Sequence, residues 1–303
     1  VVVHNHLYIL RVQNDALEVL DAEALEGSGT SPFSWVAAAD IAGTATDELI
    51  ISRTYHTLSD TDYSSLYLYD YASGEIYQEK EWNSVNYRGI PSAGSLPSEG
   101  ETVGLSRRIS QYPDYPPVYL MDADDITAEP LECQPPTQSS NHVLCSIMAD
   151  WDPVVPGLDR IIANAENQAM AWYEDGDPVT GWENNTYASP GAKRPPFPAL
   201  GELDDQDQYD NSDLIVATRE GVVMAFFSTG TILSHLGFPY TLPSEVNGGF
   251  AVADIDNDGY VEVAFGTMDN YLHVWELGEC TPGYSPWPQC QHDAARTGVL
   301  LEE

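Results

Sequence analysis

Short apolar segments recur along the whole chain and are separated by polar, glycine-rich connections. Examples are residues 49–51, 161–163 and 214–216, each followed by a further apolar segment such as 66–69. These segments lack the length and the 3.6-residue periodicity of helices, and turn residues bound them, so they predict β-strands. The 18 Tyr and 7 Trp favour strands, and the 23 Gly and 21 Pro favour many turns. The pattern therefore predicts an all-β protein.

The strands are organised in a repeat. A three-residue pattern recurs in which a small residue is followed, usually, by an acid and then by a large apolar residue. Its copies lie at 39–41, 94–96, 149–151, 201–203 and 253–255. Successive copies lie 55, 55, 52 and 52 residues apart. Each repeat then holds three or four strands, and a single sheet of that size cannot bury both of its faces. Sheets arranged around an axis can, and four-stranded blades of roughly 40–50 residues are the unit of a propeller.

These spacings predict one β-propeller domain over residues 1–303, built from four-stranded blades. Full repeats start near residues 34, 89, 142, 196 and 248, residues 1–30 form a partial blade, and residues 280–303 form a closing segment. Six blades are favoured, with five or seven as alternatives. A β-solenoid is the competing architecture, but its repeats are usually shorter.

The last repeat carries the most specific motif of the chain, D-x-D-x-D-G-x-x-E. It places Asp254, Asp256 and Asp258 at alternate positions, then Gly259 for a sharp turn and Glu262 at the start of the next strand. Calcium takes roughly six to eight oxygen ligands, and this loop can supply most of them. An EF-hand closes with a glutamate at position 12 between helices, so the flanking strands exclude that motif.

The loop and its apolar flanks, 250–253 and 263–266, resemble the FG-GAP/VCBS repeat of microbial surface proteins and integrin α-chain propellers. The segment 287–298 is similar to the ends of secreted bacterial propellers. The resemblance implies bound Ca²⁺ as cofactor, held by the side chains of the loop acids and by the backbone carbonyl of Tyr260.

Two other repeats match the ligand pattern in part and are expected to be weaker calcium sites: Asp150, Asp152 and Asp159 in one, and Glu202, Asp204 and Asp213 in the other. The copy at Asp40 and Glu48 keeps only its two ends, and the copy around Ser95 has lost the pattern. Turns capped by Asp side chains, with no metal, are the alternative for the incomplete copies.

The chain carries 48 acidic and 11 basic residues, a net charge of −37. Such a charge repels nucleic acid and anionic membranes, so neither is an expected partner. No apolar run is long enough to span a bilayer, so no membrane insertion is expected. Three explanations of the acidity stay open: a solvated surface that keeps the protein soluble, tolerance of high salt, and binding of divalent cations.

The four cysteines form two local pairs without C-x-x-C spacing. We expect disulfides Cys133–Cys145 and Cys280–Cys290, which fit an oxidising compartment, with buried thiols as the alternative. The chain begins at Val1 with no signal peptide, which a processed chain or a fragment would explain. The expected location is therefore extracellular or at the cell surface.

Catalytic motifs are absent from the sequence: there is no nucleophile elbow, phosphate loop, haem-attachment motif or H-E-x-x-H metal pattern. We therefore expect a non-catalytic, calcium-binding module that binds, adheres or builds a surface assembly. Its partner would be a protein or further copies of the chain, with a glycan as another candidate. A carbohydrate-binding propeller or polysaccharide lyase is the main alternative, and a redox propeller is a more distant one.

Overall fold

The computed structural model describes residues 2–3, 6–13, 16–24, 30–39, 41, 48–56, 62–83, 89–96, 100–106, 108–109, 117–133, 141–142, 146–149, 151, 160–164, 169–182, 196–203, 212–218, 220–277 and 299–300. The one helical segment within these ranges is a 3₁₀ turn, Ser234–Leu236, and the regular structure is otherwise β. The prediction of an all-β protein is confirmed. No helix in the described ranges has the length and apolar character to cross a membrane.

The first half of the chain forms three antiparallel sheets and a short ribbon. Sheet 1 contains β1 (Val2–Val3), β2 (His6–Gln13) and β3 (Ala16–Ala24), and sheet 2 contains β4 (Thr30–Ala39), β5 (Glu48–His56), β6 (Asp62–Asp70) and β7 (Glu75–Asn83). Sheet 3 contains β8 (Ser92–Leu96), β9 (Gly100–Ser106), β11 (Val118–Asp122) and β12 (Leu131–Cys133). The ribbon pairs β10 (Arg108–Ile109) with β13 (Asn141–His142).

The second half adds three sheets and a terminal strand. Sheet 4 contains β14 (Ser146–Ala149), β15 (Arg160–Asn164) and β16 (Ala169–Tyr173), and sheet 5 contains β17 (Ala199–Gly201), β18 (Asp213–Ala217), β19 (Val222–Phe226) and β20 (Tyr240–Thr241). Sheet 6 contains β21 (Val246–Ala253), β22 (Glu262–Thr267) and β23 (Leu272–Glu276). The terminal strand β24 (Val299–Leu300) pairs in parallel with β8 of sheet 3. In the described residues sheets 2 and 5 have four strands, and the number of blades stays a prediction.

The strands of sheet 2 are apolar on consecutive positions because both faces of the sheet are covered. In β5, Ile50 belongs to a buried cluster shared with sheet 3, whereas its neighbour Ile51 belongs to a cluster shared with Leu7 of sheet 1. Opposite them in β6, Leu68 and Tyr67 divide in the same way. Strands that are buried on two faces read as continuous apolar runs, which is the pattern seen at 49–51 and 66–69.

Further along the chain, each buried cluster again joins sheets that follow one another. One cluster runs from Val118 of sheet 3 through Trp172 of sheet 4 to Phe226 of sheet 5. Another joins Ala225 of sheet 5 to Phe250 of sheet 6. The described sheets therefore pack face to face in the order in which they occur in the sequence.

Two tryptophans tie sheet 4 to sheet 5 with both their rings and their polar groups. The Trp182 ring lies 5.1 Å from the Trp151 ring and 5.5 Å from the Phe226 ring, measured between centroids. The indole N–H of Trp182 donates to the Ser228 carbonyl at 2.9 Å, and that of Trp151 donates to the Ser212 carbonyl. Buried indoles require such acceptors, so this interface combines apolar packing with satisfied hydrogen bonds.

The cysteine at the end of β12 is a buried free thiol in this structure. Burial raises the pKa of the Cys133 thiol above its ordinary value. Cys145, Cys280 and Cys290 lie outside the described residues. Both disulfides therefore stay predictions.

The outer strand of sheet 2 is fastened to sheet 3 by one glutamine. Gln78 Nε2 donates to the carbonyls of Ala123 at 2.9 Å and Asp124 at 3.0 Å, and Gln78 Oε1 accepts the Ile126 N–H at 2.8 Å. Lys80, two residues further along β7, donates to the Ala128 carbonyl. One amide side chain thus satisfies three backbone groups of the turn that follows β11.

We predict that Gln78→Ala lowers the free energy of unfolding by about 1–3 kcal/mol, because it removes the hydrogen-bond partner of three backbone groups, two of them partly buried. Urea unfolding followed by tryptophan fluorescence measures the change. Glu75→Ala, an exposed site on the same strand, is the matched control and should stay within about 0.5 kcal/mol of the parent. Equal effects of the two substitutions would contradict the role given to Gln78.

Candidate metal centre

The connection between β21 and β22 gathers three carboxylates at one point. One oxygen from each of Asp254, Asp256 and Glu262 lies within 4.8 Å of the other two. In the described part of the chain, no other group of three or more His, Cys, Asp or Glu side chains lies so close together. The ligand atoms are all hard oxygens, which is the donor type that calcium and magnesium prefer.

Hydrogen bonds from the backbone give the loop its shape. Asp254 accepts the N–H of Asp258 at Oδ1, at 3.1 Å, and the N–H of Gly259 at Oδ2, at 3.2 Å. Asn257 and Gly259 both have left-handed backbones, with φ of 60° and 94°. Asparagine and glycine tolerate this conformation better than other residues, so the motif supplies the residue types that the turn requires.

Glu262 is the buried member of the cluster, with 6% of its surface exposed. Its Oε2 accepts the Ile255 N–H at 2.7 Å, whereas its buried Oε1 has no hydrogen-bond partner among the described residues. A buried carboxylate oxygen without a partner is costly, and a cation beside it would offset that cost. The residues present therefore fit a bound divalent cation.

Of the four carboxylates predicted as ligands, Asp258 does not belong to this cluster. The Asp258 carboxylate accepts the N–H of Tyr260 at 2.9 Å, so it stabilises the turn that leads into β22. The roles of Asp258 and of the Tyr260 carbonyl as ligands stay predictions. Calcium needs more oxygens than three monodentate carboxylates supply, so carbonyls, water or bidentate binding would have to complete the shell.

The bond between Glu262 and Ile255 has counterparts in two other sheets. Glu48 Oε2 accepts the N–H of Ile41 at 2.8 Å, and Asp213 Oδ2 accepts the N–H of Leu203 at 3.0 Å. In each case an acid at the start of a second strand binds the apolar residue of the repeated tripeptide. From the sequence, Glu48 and Asp213 were expected only as members of incomplete metal sites. The signal for this bond in the sequence was an acid at the start of the second strand of each repeat. The acid follows Ile41 and Ile255 by seven residues and Leu203 by ten.

The two weaker predicted sites are described only in part. Glu202 and Asp213 are both buried at the corresponding connection of sheet 5, whereas Asp204 lies outside the described residues. Asp150, Asp152 and Asp159 also lie outside the described residues. Calcium binding at both places stays a prediction.

Comparison with known proteins supports the fold. No protein-family model matches the chain. No curated protein matches it either. Among solved structures, BBS1N in complex with ARL6DN, from a crystal soaked with mercury, aligns over 86% of this chain and 69% of its own, with a TM-score of 0.51 and 13% identity. A lead-soaked crystal of that complex covers 82% and 79%, with a TM-score of 0.45 and 10% identity.

A third solved structure is a candidate phosphatase from Bacteroides thetaiotaomicron VPI-5482. It covers 86% of this chain and 66% of its own, with a TM-score of 0.42 and 12% identity. Antiparallel sheets packed in chain order, together with the similarity to the BBS1N propeller, define the class of this protein as a β-propeller. At 13% identity the similarity concerns the fold alone.

The two aspartates of the cluster should differ when no metal is present. We predict that Asp254→Ala lowers the free energy of unfolding in EGTA by about 1–2 kcal/mol, because it removes the acceptor of two loop N–H groups. Asp256→Ala should change it by less than about 0.5 kcal/mol, since the structure gives that exposed carboxylate no hydrogen bond among the described residues. Urea unfolding in EGTA measures both values, and equal losses would contradict this description of the loop.

Proposed function

We propose that this protein is a calcium-stabilised β-propeller of the FG-GAP/VCBS type that acts by binding a partner and not by catalysis. The observation that carries the calcium site is the position of Glu262 Oε1. This oxygen is buried and lacks a hydrogen-bond partner among the described residues, and its carboxylate has an oxygen within 4.8 Å of oxygens of Asp254 and Asp256.

Calcium fits this donor set better than other divalent ions. Zinc favours histidine and cysteine ligands, and the cluster contains neither. Magnesium demands a tighter octahedral shell and retains several waters, whereas calcium accepts irregular loops of carboxylates and carbonyls. A divalent cation would also reduce the repulsion among three carboxylates in a chain of net charge −37.

The position of the loop indicates a structural role for the metal. Its residues join β21 to β22, so an ion held by Asp254 and Glu262 would connect the end of one strand to the start of the next. An ion that binds only the folded state stabilises it by mass action. We therefore assign calcium to the stability of sheet 6 and not to a chemical reaction.

A binding role outside the cell is supported by several separate observations. The sequence lacks catalytic motifs, its acidic surface disfavours nucleic acid, and the calcium loop resembles those of microbial surface proteins. The similar propeller BBS1N was solved in complex with ARL6DN, so a propeller of this fold can present a surface to a protein. We propose a protein partner for this chain as well, at an extracellular location where calcium is available.

A glycan is the second candidate ligand, and two exposed aromatic side chains favour it. Tyr71 and Tyr77 lie close together in sequence, in the turn before β7 and on β7 itself. Burial of part of its ring, followed by the negative charges of Glu48, Asp70 and Asp124, raises the pKa of Tyr77 to about 12. Its hydroxyl therefore remains protonated and can donate a hydrogen bond while the ring stacks on a sugar.

If glycan binding is the function, a glycan array should identify ligands whose affinity falls at least about tenfold in Tyr77→Ala, the loss of roughly one good stacking contact. Glu81→Ala, another exposed position on β7, is the control and should retain binding. An array without ligands would remove the glycan candidate and leave the protein partner.

Calcium should raise the melting temperature of the protein. At a calcium concentration about 100 times the dissociation constant, the expected gain is about 2.7 kcal/mol, a shift of roughly 4 °C for a chain of this size. EGTA should remove the shift and added calcium should restore it. Differential scanning calorimetry measures the change, with NaCl at matched ionic strength to account for general screening.

Two variants make this experiment specific to the loop. Asp256→Ala should abolish most of the calcium-dependent shift, whereas Asp177→Ala, an exposed acid in the turn after β16, should retain it. A calcium shift of the same size in Asp256→Ala would disprove the assigned site. The same shift with NaCl as with calcium would disprove a specific metal altogether.

A further inference from the structure

One position of the strand register can be followed through five repeats. We call it the closing position: it is the residue of the second strand that pairs with the first residue of the repeated tripeptide. The pairs are Ala39 with Glu48, Gly94 with Thr102, Ala149 with Arg160, Gly201 with Asp213, and Ala253 with Glu262. Three of these repeats place an acid at the closing position and one places a threonine, whereas sheet 4 places an arginine there.

The strand pairing of sheet 4 differs from the match that the spacing of its acids suggests. The sequence offers Asp159 as the last ligand of this repeat, but the residue that corresponds to Glu262 in the register is Arg160. Neighbouring positions of a strand project to opposite faces, so a difference of one residue decides which side chain reaches the connection. Counted in the same register, Asp159 corresponds to Val261, a buried residue of the cluster between sheets 5 and 6. A guanidinium therefore stands where the calcium loop has its closing carboxylate.

A second change on the adjoining strand accompanies the arginine. The closing position also pairs with a residue of the third strand, and in three sheets that residue is an acid: Asp70 opposite Glu48, Asp122 opposite Thr102, and Glu276 opposite Glu262. In sheet 4 it is Tyr173. The guanidinium of Arg160 lies over the Tyr173 ring, 4.5 Å from its centroid. A guanidinium is attracted to the face of an aromatic ring, so the two residues form one cross-strand pair.

The chemistry of arginine opposes a metal at this position. A guanidinium carries N–H donors and no acceptor, so it cannot coordinate a cation. It also keeps its positive charge throughout the physiological range, so it would repel a divalent ion beside it. The connection that leads to Arg160 contains Asp150, Asp152 and Asp159 in its sequence, and a fixed positive charge at its end offsets part of their negative charge. The residue at the closing position of sheet 4 therefore does not fit bound calcium.

We propose that the connection between β14 and β15 binds no calcium, and that Arg160, placed on Tyr173, supplies its positive charge instead. A permanent side-chain cation thereby replaces the calcium expected at Asp150, Asp152 and Asp159. The inference deepens the proposed function, because it names a repeat whose stability does not depend on the metal and the residue that excludes it. It uses none of the ligands in the loop of sheet 6, so the two proposals can fail separately.

The number of bound calcium ions tests the metal-free connection directly. Equilibrium dialysis with radioactive calcium, at matched ionic strength, counts the ions bound by the full-length protein. The double substitution Asp150→Asn with Asp152→Asn should leave this number unchanged, whereas Asp256→Ala in the loop of sheet 6 should lower it by one. A loss of one ion in the double variant would overturn the proposal. A parent without bound calcium would disprove the site of sheet 6 and would agree with a metal-free sheet 4.

Melting curves test the part assigned to Arg160. Arg160→Met keeps much of the side-chain length but removes the charge, and it should lower the melting temperature by roughly 2–4 °C in calcium and in EGTA alike. Arg160→Lys keeps the charge without the planar group and should recover part of the loss. Tyr173→Leu combined with Arg160→Met should cost less than the sum of the two single substitutions, since both remove the same contact. An unchanged melting temperature in Arg160→Met, or a loss confined to one of the two conditions, would contradict the proposal.

Arg160→Glu tests whether this residue decides between metal and guanidinium. It restores a carboxylate at the closing position, as in sheets 2 and 6. The rise in melting temperature on adding calcium should exceed that of Arg160→Met by at least about 2 °C, because glutamate supplies a ligand and methionine supplies none. Equal rises in the two variants would show that residue 160 does not control metal binding and would overturn the proposal.

Discussion

Sheets 2 to 5 bury apolar side chains on both of their faces, and the structure depends on covering both of them. Ile50 and Ile51 are neighbours in one strand, yet they pack against different sheets, and the same division continues from sheet to sheet along the chain. Burial of apolar area is the dominant favourable contribution to folding, so no sheet of this kind is stable alone. The propeller arrangement follows from this requirement.

A second constraint acts at the connection between the first and second strands of a repeat. In sheets 2, 5 and 6, an acidic side chain accepts the N–H of the apolar residue across the connection, as Glu262 does for Ile255. The bond needs no metal, which explains why Glu48 persists in a repeat without the middle acids of the loop. The proposed calcium site adds Asp254 and Asp256 to this existing carboxylate. Metal binding would therefore build on a hydrogen bond that several repeats already use.

Much of this description could be predicted from the sequence, and the remainder depends on contacts between sheets. The strands at 49–51 and 66–69 were predictable because apolar runs bounded by turn residues need no tertiary information. The loop was predictable because alternate acids before Gly259 specify its turn, whereas the bond from Asp258 to Tyr260 depends on local geometry. The three bonds of Gln78 and the exposure of Leu272 and Val274 were not predictable, since residues distant in sequence determine both.

We propose that the loop of sheet 6 binds calcium through Asp254, Asp256 and Glu262, of which Glu262 is held in place by the hydrogen bond that other repeats also use. The most direct measurement is a crystal structure of the protein grown with calcium, with anomalous diffraction to identify the ion. We expect an ion at about 2.3–2.6 Å from carboxylate oxygens of Asp254, Asp256 and Glu262, with Glu262 Oε1 among its ligands. A loop without an ion at saturating calcium, or calcium bound only elsewhere on the acidic surface, would contradict it.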